Sequence, residues 1–192
     1  MKGAKVVELE WEPGFRLVPS QFPPKTLLDR LAKPEDLEIL YALQGQTNPR
    51  IRQELGEISR VPPEERVVGP GSSPIMASFC HVNPDGSRFS DGTYGVYYAA
   101  NSLEVAVAEV SHHRAAFMRS TKQPATDLDM RAYTSRMAQP LHDIRGRQWK
   151  ALHDPGDYSA SRKFGNEMRA KGSWGLVYRS VRRPGEIGRA HV

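Results

Sequence analysis

Glu109 is the residue whose type and position in this sequence most favour chemistry. It lies in the segment 86–114, GSRFSDGTYGVYYAANSLEVAVAEVSHHR. On a helix, at about 100° per residue, Glu109 falls beside Ala106 at the shoulder of an apolar stripe. A carboxylate in a partly dry site can bind a sugar hydroxyl or stabilise a developing cation. It can equally be a boundary residue that pairs with an arginine such as Arg88, so both interpretations stay open at this point.

Arg16 and Ser180 are further candidates for a ligand site. Arg16 lies within the apolar run 15–18, and its planar guanidinium could bind phosphate oxygens in pairs or simply face solvent from a strand. Ser180 follows the apolar run 176–178 and has no Gly-x-Ser-x-Gly elbow around it, which argues against a hydrolase nucleophile. Ser180 is therefore interpreted as a residue that hydrogen-bonds a ligand or as an ordinary strand end.

The elements that must position the carboxylate are predicted by the segment around it. The stretch 84–92 is rich in turn residues, and the run 96–99 is typical of a short buried strand. Asn101, followed three residues later by Glu104, is close to a capping box, so a helix is predicted over 102–118. We expect one face of this helix to pack on the core through its apolar residues, namely Leu103, Ala106, Val107, Val110 and Phe117.

The remaining segments predict a mixed α/β fold. Strand-like runs lie at 6–10, 15–18, 75–79, 126–132, 141–144 and 175–178, whereas 24–60 and 158–172 have helical patterns. The order of these elements predicts a single domain over 1–192. Its core is expected to be a twisted, largely antiparallel sheet with flanking helices.

Composition narrows the class of protein. The 192 residues are 39% hydrophobic and 26% charged, which is ordinary for a globular protein. No run approaches the roughly 18 apolar residues of a membrane span, and the first residues contain no apolar signal core. We therefore expect no membrane association and a cytoplasmic location. Cys80 is the single cysteine, and no histidine has a partner at metal spacing, so neither a disulfide nor a metal site is predicted.

The charge of the chain favours an anionic partner only weakly. The net charge of +5 arises from 27 Lys and Arg against 22 Asp and Glu. The basic residues are concentrated after residue 110 but form no single run. A nucleic acid, a diphosphate ligand or an acidic protein would each fit this distribution, as would a solvated surface.

A set of residues around Glu109 and near the end of the chain forms a recognisable pattern, namely the Gly86-Ser87-Arg88-Phe89 turn, Gly92, Tyr98, the Asn101-Ser102-Leu103 helix start, Glu109, and Tyr178, Ser180 and Arg182 of a Tyr-x-Ser-x-Arg pattern. This pattern resembles the core of the RES domain family, which contains toxins of bacterial toxin–antitoxin pairs. The short element around Arg16 is similar to an early family strand. The resemblance implies an ADP-ribosyltransferase-like fold, in which the helices of about 24–60 are an insertion.

The same resemblance implies an enzyme that attacks its substrate NAD at the bond between nicotinamide and ribose. Cleavage passes through an oxocarbenium-like state that a carboxylate can stabilise. The residues expected to act in catalysis are Glu109, Arg88 and Ser180. Those expected to bind NAD are Arg16 and Arg88 at the diphosphate, Tyr98 as an aromatic wall for nicotinamide, and Ser180 as an orienting hydrogen-bond partner.

Three functional classes stay open on the sequence. The first is an NAD-degrading toxin with water or phosphate as acceptor, and the second is an ADP-ribosyltransferase that modifies a protein. The third is a basic nucleic-acid-binding module without catalysis. The family implies a small helix-turn-helix antitoxin of the Xre type as a partner, so nucleic acid would be reached only through that antitoxin.

Residues 187–192 have an unusual possible origin. The sequence IGRAHV can be encoded by ATC GGA AGA GCA CAC GTC, which matches the start of a common sequencing-library adapter. We therefore expect these residues to be a non-native tail, and we expect a final strand of the sheet to be missing. A natural polar terminus is the alternative, and sequencing the gene distinguishes the two.

Overall fold

A seven-stranded sheet carries the fold. The computed structural model describes residues 3–9, 13–20, 28–30, 33, 35–36, 39, 57–122, 124, 126–136, 138–183 and 185–192. Within these, the strands are β1 (Lys5–Val7), β2 (Gly14–Pro19), β3 (Tyr97–Ala100), β4 (Met130–Ser135), β5 (Leu141–Asp143), β6 (Leu176–Arg179) and β7 (Ile187–His191), in the sheet order β1-β5-β6-β7-β3-β2-β4. Among the described strands, the β5 and β6 pair is parallel and the other pairs are antiparallel. The predicted mixed α/β class with a largely antiparallel core is confirmed.

Three α-helices lie wholly within the described part of the chain and accompany the sheet. They are α1 (Ser72–Cys80), α2 (Leu103–Ser120) and α3 (Ser159–Ala170), and short 3-10 segments lie at Leu28–Arg30, Ile58–Arg60, Pro63–Glu65 and Arg147–His153. None of the described helices is long and apolar enough to cross a membrane. The helical insertion predicted over about 24–60 lies mostly outside the described residues.

Helix α1 corrects the strand predicted at 75–79. It follows Gly71, whose φ of 84° is in the left-handed region that favours glycine. Met76 and Cys80, one helical turn apart, are buried against Ile58 and Val61. The prediction was wrong because a short apolar run does not distinguish a buried strand from a buried helix.

Helix α2 was predicted at the correct place, but its packed face is rotated away from the predicted one and shares only Ala106 with it among the buried residues. Ser102 is its N-cap, and its hydroxyl accepts a hydrogen bond from the Val105 amide at 3.3 Å. Val105 and Ala106 are buried, whereas the exposed fractions of Leu103, Val107 and Phe117 are 41%, 46% and 56%. Of the five residues of the predicted face, Ala106 is therefore packed, whereas Leu103, Val107 and Phe117 lie outside the packed face.

The rotation of α2 changes the environment of Glu109. On a helical projection Glu109 lies between Val105 and Ala106, so it belongs to the face that packs on the sheet. Val105 and Ala106 contact Phe15 and Leu17 of β2. Glu109 is consequently half-buried near the centre of the packed face, and not on its shoulder.

The main core lies on the sheet face that bears Tyr98 and Tyr178. The strand register pairs Tyr98 with Ala190 and Ala190 with Leu176, so these residues share a face. Phe89, Ile144, Trp149, Leu152 and Met168 pack against it. The loop before β3, the 3-10 segment Arg147–His153 and helix α3 are thereby held on the same side of the sheet.

Residues 187–191, which were expected to belong to a non-native tail, form strand β7 of the sheet. It lies between β6 and β3 and pairs antiparallel with both. Ala190 is fully buried, and Gly188 lies against the ring of Tyr178, where a Cβ would be only 2.5 Å from the ring carbon Cζ. Gly188 and Ala190 are small, so β7 fits between β6 and β3 without displacing the Tyr178 ring. The coding origin of 187–192 stays a prediction for nucleotide sequencing.

Candidate functional site

The end of β6 and the middle of α2 meet at Ser180 and Glu109. Ser180 is buried with an exposed fraction of 5%. Its hydroxyl donates a hydrogen bond to Oε1 of Glu109 over 2.7 Å, although 71 residues separate the two in sequence. A hydroxyl bonded to an ionised carboxylate makes a short, strong contact of this kind. The structure therefore brings together two of the predicted catalytic residues.

The surroundings of Ser180 fix the direction of its hydroxyl proton. The backbone amides of Arg182 and Arg183 donate to Ser180 Oγ at 3.3 and 3.1 Å. The Ser180 amide donates to the Glu186 carbonyl at 2.8 Å, which closes the turn between β6 and β7. Because both lone pairs of the hydroxyl oxygen accept amide protons, its own proton points to Glu109. This arrangement suits an orienting residue and does not suit a nucleophile.

Arg88 lies on the same side of the sheet, in the loop before β3. Its exposed fraction is 7%. Nη1 donates to the carbonyl of Asp154 at 2.8 Å and to that of Leu152 at 3.4 Å. The guanidinium carbon is 4.3 Å from the centroid of the Tyr158 ring. Both carbonyl contacts use Nη1, so the remaining donors of this cation are not occupied by hydrogen bonds within the described residues.

The loop that carries Arg88 is anchored by helix α3. Arg162 donates from Nε to the Ser87 carbonyl at 3.0 Å and from Nη2 to the Asp85 carbonyl at 2.7 Å. Gly165 lies so close to the Phe89 carbonyl that a Cβ at this position would overlap it. The helix therefore fixes the loop on both sides of Arg88 by hydrogen bonds and by close backbone contact.

Tyr98 of β3 contacts this loop through its hydroxyl. Its hydroxyl accepts from the Phe89 amide at 3.1 Å and is 2.9 Å from Ser87 Oγ. Burial raises the pKa of Tyr98 to about 12, so the phenol is neutral at physiological pH. Its predicted role as a wall for nicotinamide stays a prediction, since the observed contacts are with the loop.

Tyr178 is an aromatic residue of the site to which the sequence assigned no role. Its ring is 5.0 Å from that of Phe89 in an edge-to-face arrangement. Burial and the neighbouring Glu109 charge raise the pKa of Tyr178 well above its ordinary value. The available signal was its position two residues before Ser180 on one strand, which puts both side chains on the same face.

Arg16 is not brought to this site. In β2 it points to the sheet face opposite that of Phe15 and Leu17, because successive side chains alternate. Its Nη1 donates to the Tyr98 carbonyl at 3.2 Å, and its guanidinium is 4.9 Å from the Tyr97 ring. Burial lowers the pKa of Arg16. The geometry does not favour the diphosphate role predicted for this residue.

Two adjacent histidines on α2, His112 and His113, lie near Glu109. Burial lowers the pKa of both His112 and His113, while Glu109 opposes that shift. The charge of Arg182 further lowers both values. Among the described residues, no group of three or more His, Cys, Asp or Glu side chains is arranged to hold a metal ion.

A comparison with family models decides the classification of the chain. The model of the RES domain matches residues 63–190. The chain belongs to the RES domain family. The matched part includes Arg88, Tyr98, Glu109 and Ser180, whereas Arg16 lies outside it.

Two further similarities are consistent with this family. An uncharacterized protein y4oC of Sinorhizobium fredii (strain NBRC 101917 / NGR234) is 29% identical over 175 residues, which are 90% of this chain and 72% of that protein. The crystal structure of the M. tuberculosis MbcT-MbcA toxin-antitoxin complex contains a similar chain, with a TM-score of 0.51 and 14% identity. That match covers 97% of this RES domain protein and 75% of the solved chain, and it supports the fold.

Proposed function

We propose that this RES domain protein is the toxin of a bacterial toxin–antitoxin pair and degrades NAD. The observation that carries the proposal is the 2.7 Å hydrogen bond from Ser180 Oγ to Glu109 Oε1. This bond holds one oxygen of the Glu109 carboxylate on the side of the sheet where the Arg88 loop also lies. Glu109 Oε2 forms no hydrogen bond within the described residues, so it can act on a substrate.

The proposed reaction breaks the bond between C1′ of the ribose and the nicotinamide nitrogen. Nicotinamide leaves as a neutral molecule with the bonding electron pair, and positive charge develops on C1′ and the ring oxygen. Glu109 stabilises this charge. An oxygen of water or phosphate then forms the new bond to C1′. When water is the acceptor, its proton passes to Glu109 Oε2 or to solvent.

The other residues of the site bind and orient the dinucleotide in this proposal. Arg88 binds the diphosphate, because a guanidinium held by one nitrogen still offers paired donors to phosphate oxygens. Tyr98 and Tyr178 supply the aromatic surface on the same face. Ser180 fixes the carboxylate rotamer, which limits how much reorganisation the developing charge requires.

Incubation of the purified protein with NAD tests the proposal. We expect free nicotinamide to appear with ADP-ribose, or with its 1-phosphate when phosphate is present, and chromatography distinguishes these products. Label transferred from NAD to a protein without accumulation of ADP-ribose would instead support an ADP-ribosyltransferase. No nicotinamide release, with salt-sensitive binding of RNA or DNA, would support the nucleic-acid-binding alternative.

An antitoxin partner is proposed together with the activity. An enzyme that removes a central cofactor requires a cognate inhibitor in the same cell, and the resemblance implies a helix-turn-helix protein of the Xre type. The solved complex with a similar fold is named a toxin-antitoxin complex. We expect the antitoxin to cover Arg88 and Glu109. Co-expression should restore NAD and growth, and a complex that still releases nicotinamide at the free rate would contradict occlusion.

A further inference from the structure

Tyr158 contacts Arg88 and Arg182, which reach it from different parts of the chain, and Arg162 of α3 lies farther from its ring, at 5.9 Å from the centroid. Tyr158 is half-buried and directly precedes α3. The Arg88 guanidinium lies over its ring at 4.3 Å from the centroid. Arg182, in the turn after β6, donates from Nη2 to the Tyr158 hydroxyl at 3.1 Å. One side chain therefore binds one cation with its π face and another with its oxygen.

Arg88 and Arg182 have the features of an anion-binding site and not those of arginines that are neutralised by carboxylates. Neither forms a salt bridge within the described residues. Arg182 Nη2 also donates to the Pro155 carbonyl at 2.7 Å, whereas its Nε is buried and makes no hydrogen bond in the described part of the chain. A buried guanidinium donor without a partner is costly unless a ligand accepts from it.

Arg182 also connects Tyr158 to the carboxylate. Its backbone amide donates to Ser180 Oγ, which in turn donates to Glu109. Holding the Arg182 side chain against Tyr158 thus restrains the turn whose amides orient Ser180. The contacts run from Arg88 through Tyr158 and Arg182 to the Ser180 and Glu109 pair.

We propose that Tyr158 is a positioning residue for both halves of the site, an inference that rests on the proposed NAD-cleaving function. Its ring holds Arg88, and its hydroxyl holds Arg182, so that the two cations bind the diphosphate of NAD together. Two guanidinium groups repel each other, and an aromatic ring with a hydroxyl acceptor offsets this repulsion without the negative charge that would compete with phosphate. The hydroxyl contact additionally keeps the Ser180 turn in place for Glu109.

Two substitutions distinguish the contribution of the Tyr158 ring from that of its hydroxyl. Tyr158→Phe keeps the ring beneath Arg88 but removes the acceptor for Arg182. We expect it to lower kcat about fivefold to tenfold through the Ser180 turn. KM for NAD and the affinity for ADP-ribose should weaken by only about twofold to threefold, because Arg182 keeps its hydrogen bond to the Pro155 carbonyl. Tyr158→Leu removes both contacts, so we expect the same loss in kcat and in addition an affinity for ADP-ribose about tenfold weaker. Tyr133→Phe in β4, at the other end of the sheet, is the matched control and should change none of these values.

Amide hydrogen exchange supplies a readout that does not depend on turnover. The amides of Arg182 and Arg183 donate to Ser180, so both Tyr158 variants should exchange these protons faster than the wild-type protein. Calorimetry measures the affinity for ADP-ribose, which reports on binding by Arg88 and Arg182 independently of bond cleavage.

The outcomes separate this inference from the proposed function. Wild-type protein that binds ADP-ribose but releases no nicotinamide overturns the function, and the Tyr158 inference then stands or falls by the binding and exchange data. Equal ADP-ribose affinities in the Phe and Leu variants would overturn it, as would unchanged kinetic constants with only a lower melting temperature. Wild-type protein that neither binds millimolar ADP-ribose nor releases nicotinamide overturns both.

Discussion

Replacing Glu109 by Gln tests whether the carboxylate acts in catalysis or only in packing. The substitution keeps the shape of the side chain and an oxygen that can accept from Ser180, but removes the negative charge. Glu109 and Ser180 form their 2.7 Å hydrogen bond on the packed side of α2. Any large effect on turnover would therefore come from the missing charge and not from a vacant space.

The size of the effect follows from electrostatics. A unit charge pair about 4 Å apart at an effective dielectric constant of about 20 interacts by about 4 kcal/mol. The ribose cation is only partly developed in the transition state, so about 3 kcal/mol of this stabilisation remains. We therefore expect kcat to fall roughly 100-fold or more. The hydrogen bond from Ser180 changes from charged to neutral, and the free energy of unfolding should fall by only about 1 kcal/mol.

The assay is the initial rate of nicotinamide release, measured beside urea unfolding of the same preparation. Glu104→Gln is the control, because Glu104 is an exposed carboxylate on the same helix and its loss should leave kcat unchanged. A Glu109→Gln protein that keeps kcat within threefold of wild type while losing stability would refute the catalytic role. Glu109 would then be the boundary residue that the sequence also allowed.

Two further predictions concern the framework of the site. Gly165→Ala should lower the free energy of unfolding by about 1–2 kcal/mol and reduce NAD turnover, as measured by chemical unfolding and activity assays. The new methyl group displaces the Phe89 carbonyl and the Arg88 loop, which costs more than the helix gains from alanine. Gly156→Ala is the control and should change neither value, because its Cβ would have no neighbour closer than 3.8 Å. Burial lowers the pKa of His191 to about 4, against about 6.5 in an unfolded chain, so between these values the unfolded state binds the proton that the folded state does not. Stability should accordingly be complete above pH of about 6.5 and decrease by up to about 3 kcal/mol as the pH falls towards about 4, and urea unfolding of His191→Gln should show a weaker dependence on pH over this window.

Local chemistry in the sequence was sufficient to predict several elements of the site. The turn before β3, the strand itself and the beginning of α2 follow from turn residues, an apolar run and an N-terminal capping pattern within a few residues of one another. The family resemblance carried by Arg88, Glu109 and Ser180 agrees with the match to the RES domain over 63–190. The mixed, largely antiparallel fold class also followed from the order of elements.

The inward face of α2 could not be predicted from the sequence. Leu103, Val107 and Phe117 have the spacing of a buried stripe, yet they are exposed and the helix packs through Val105 and Ala106. Periodicity shows which residues share a face, but the face that packs depends on which neighbouring surface is available. Because β2 presents Phe15 and Leu17, α2 turns that side inward and carries Glu109 with it.

The contacts that make the site are long-range, and only the tertiary structure decided them. The hydrogen bond between Glu109 and Ser180 joins residues 71 positions apart, and Tyr158 joins two arginines that no local pattern connects. The sheet alternation likewise placed Arg16 on the opposite face from Phe15. Such pairings depend on the combined packing of many elements, and each single contact contributes little stability. Turns, caps and short apolar runs are instead specified by residues that are neighbours in the chain. The sequence by itself therefore determined the residue types and most of the local elements, and the packing of α2, α3 and β6 determined which of those residues meet.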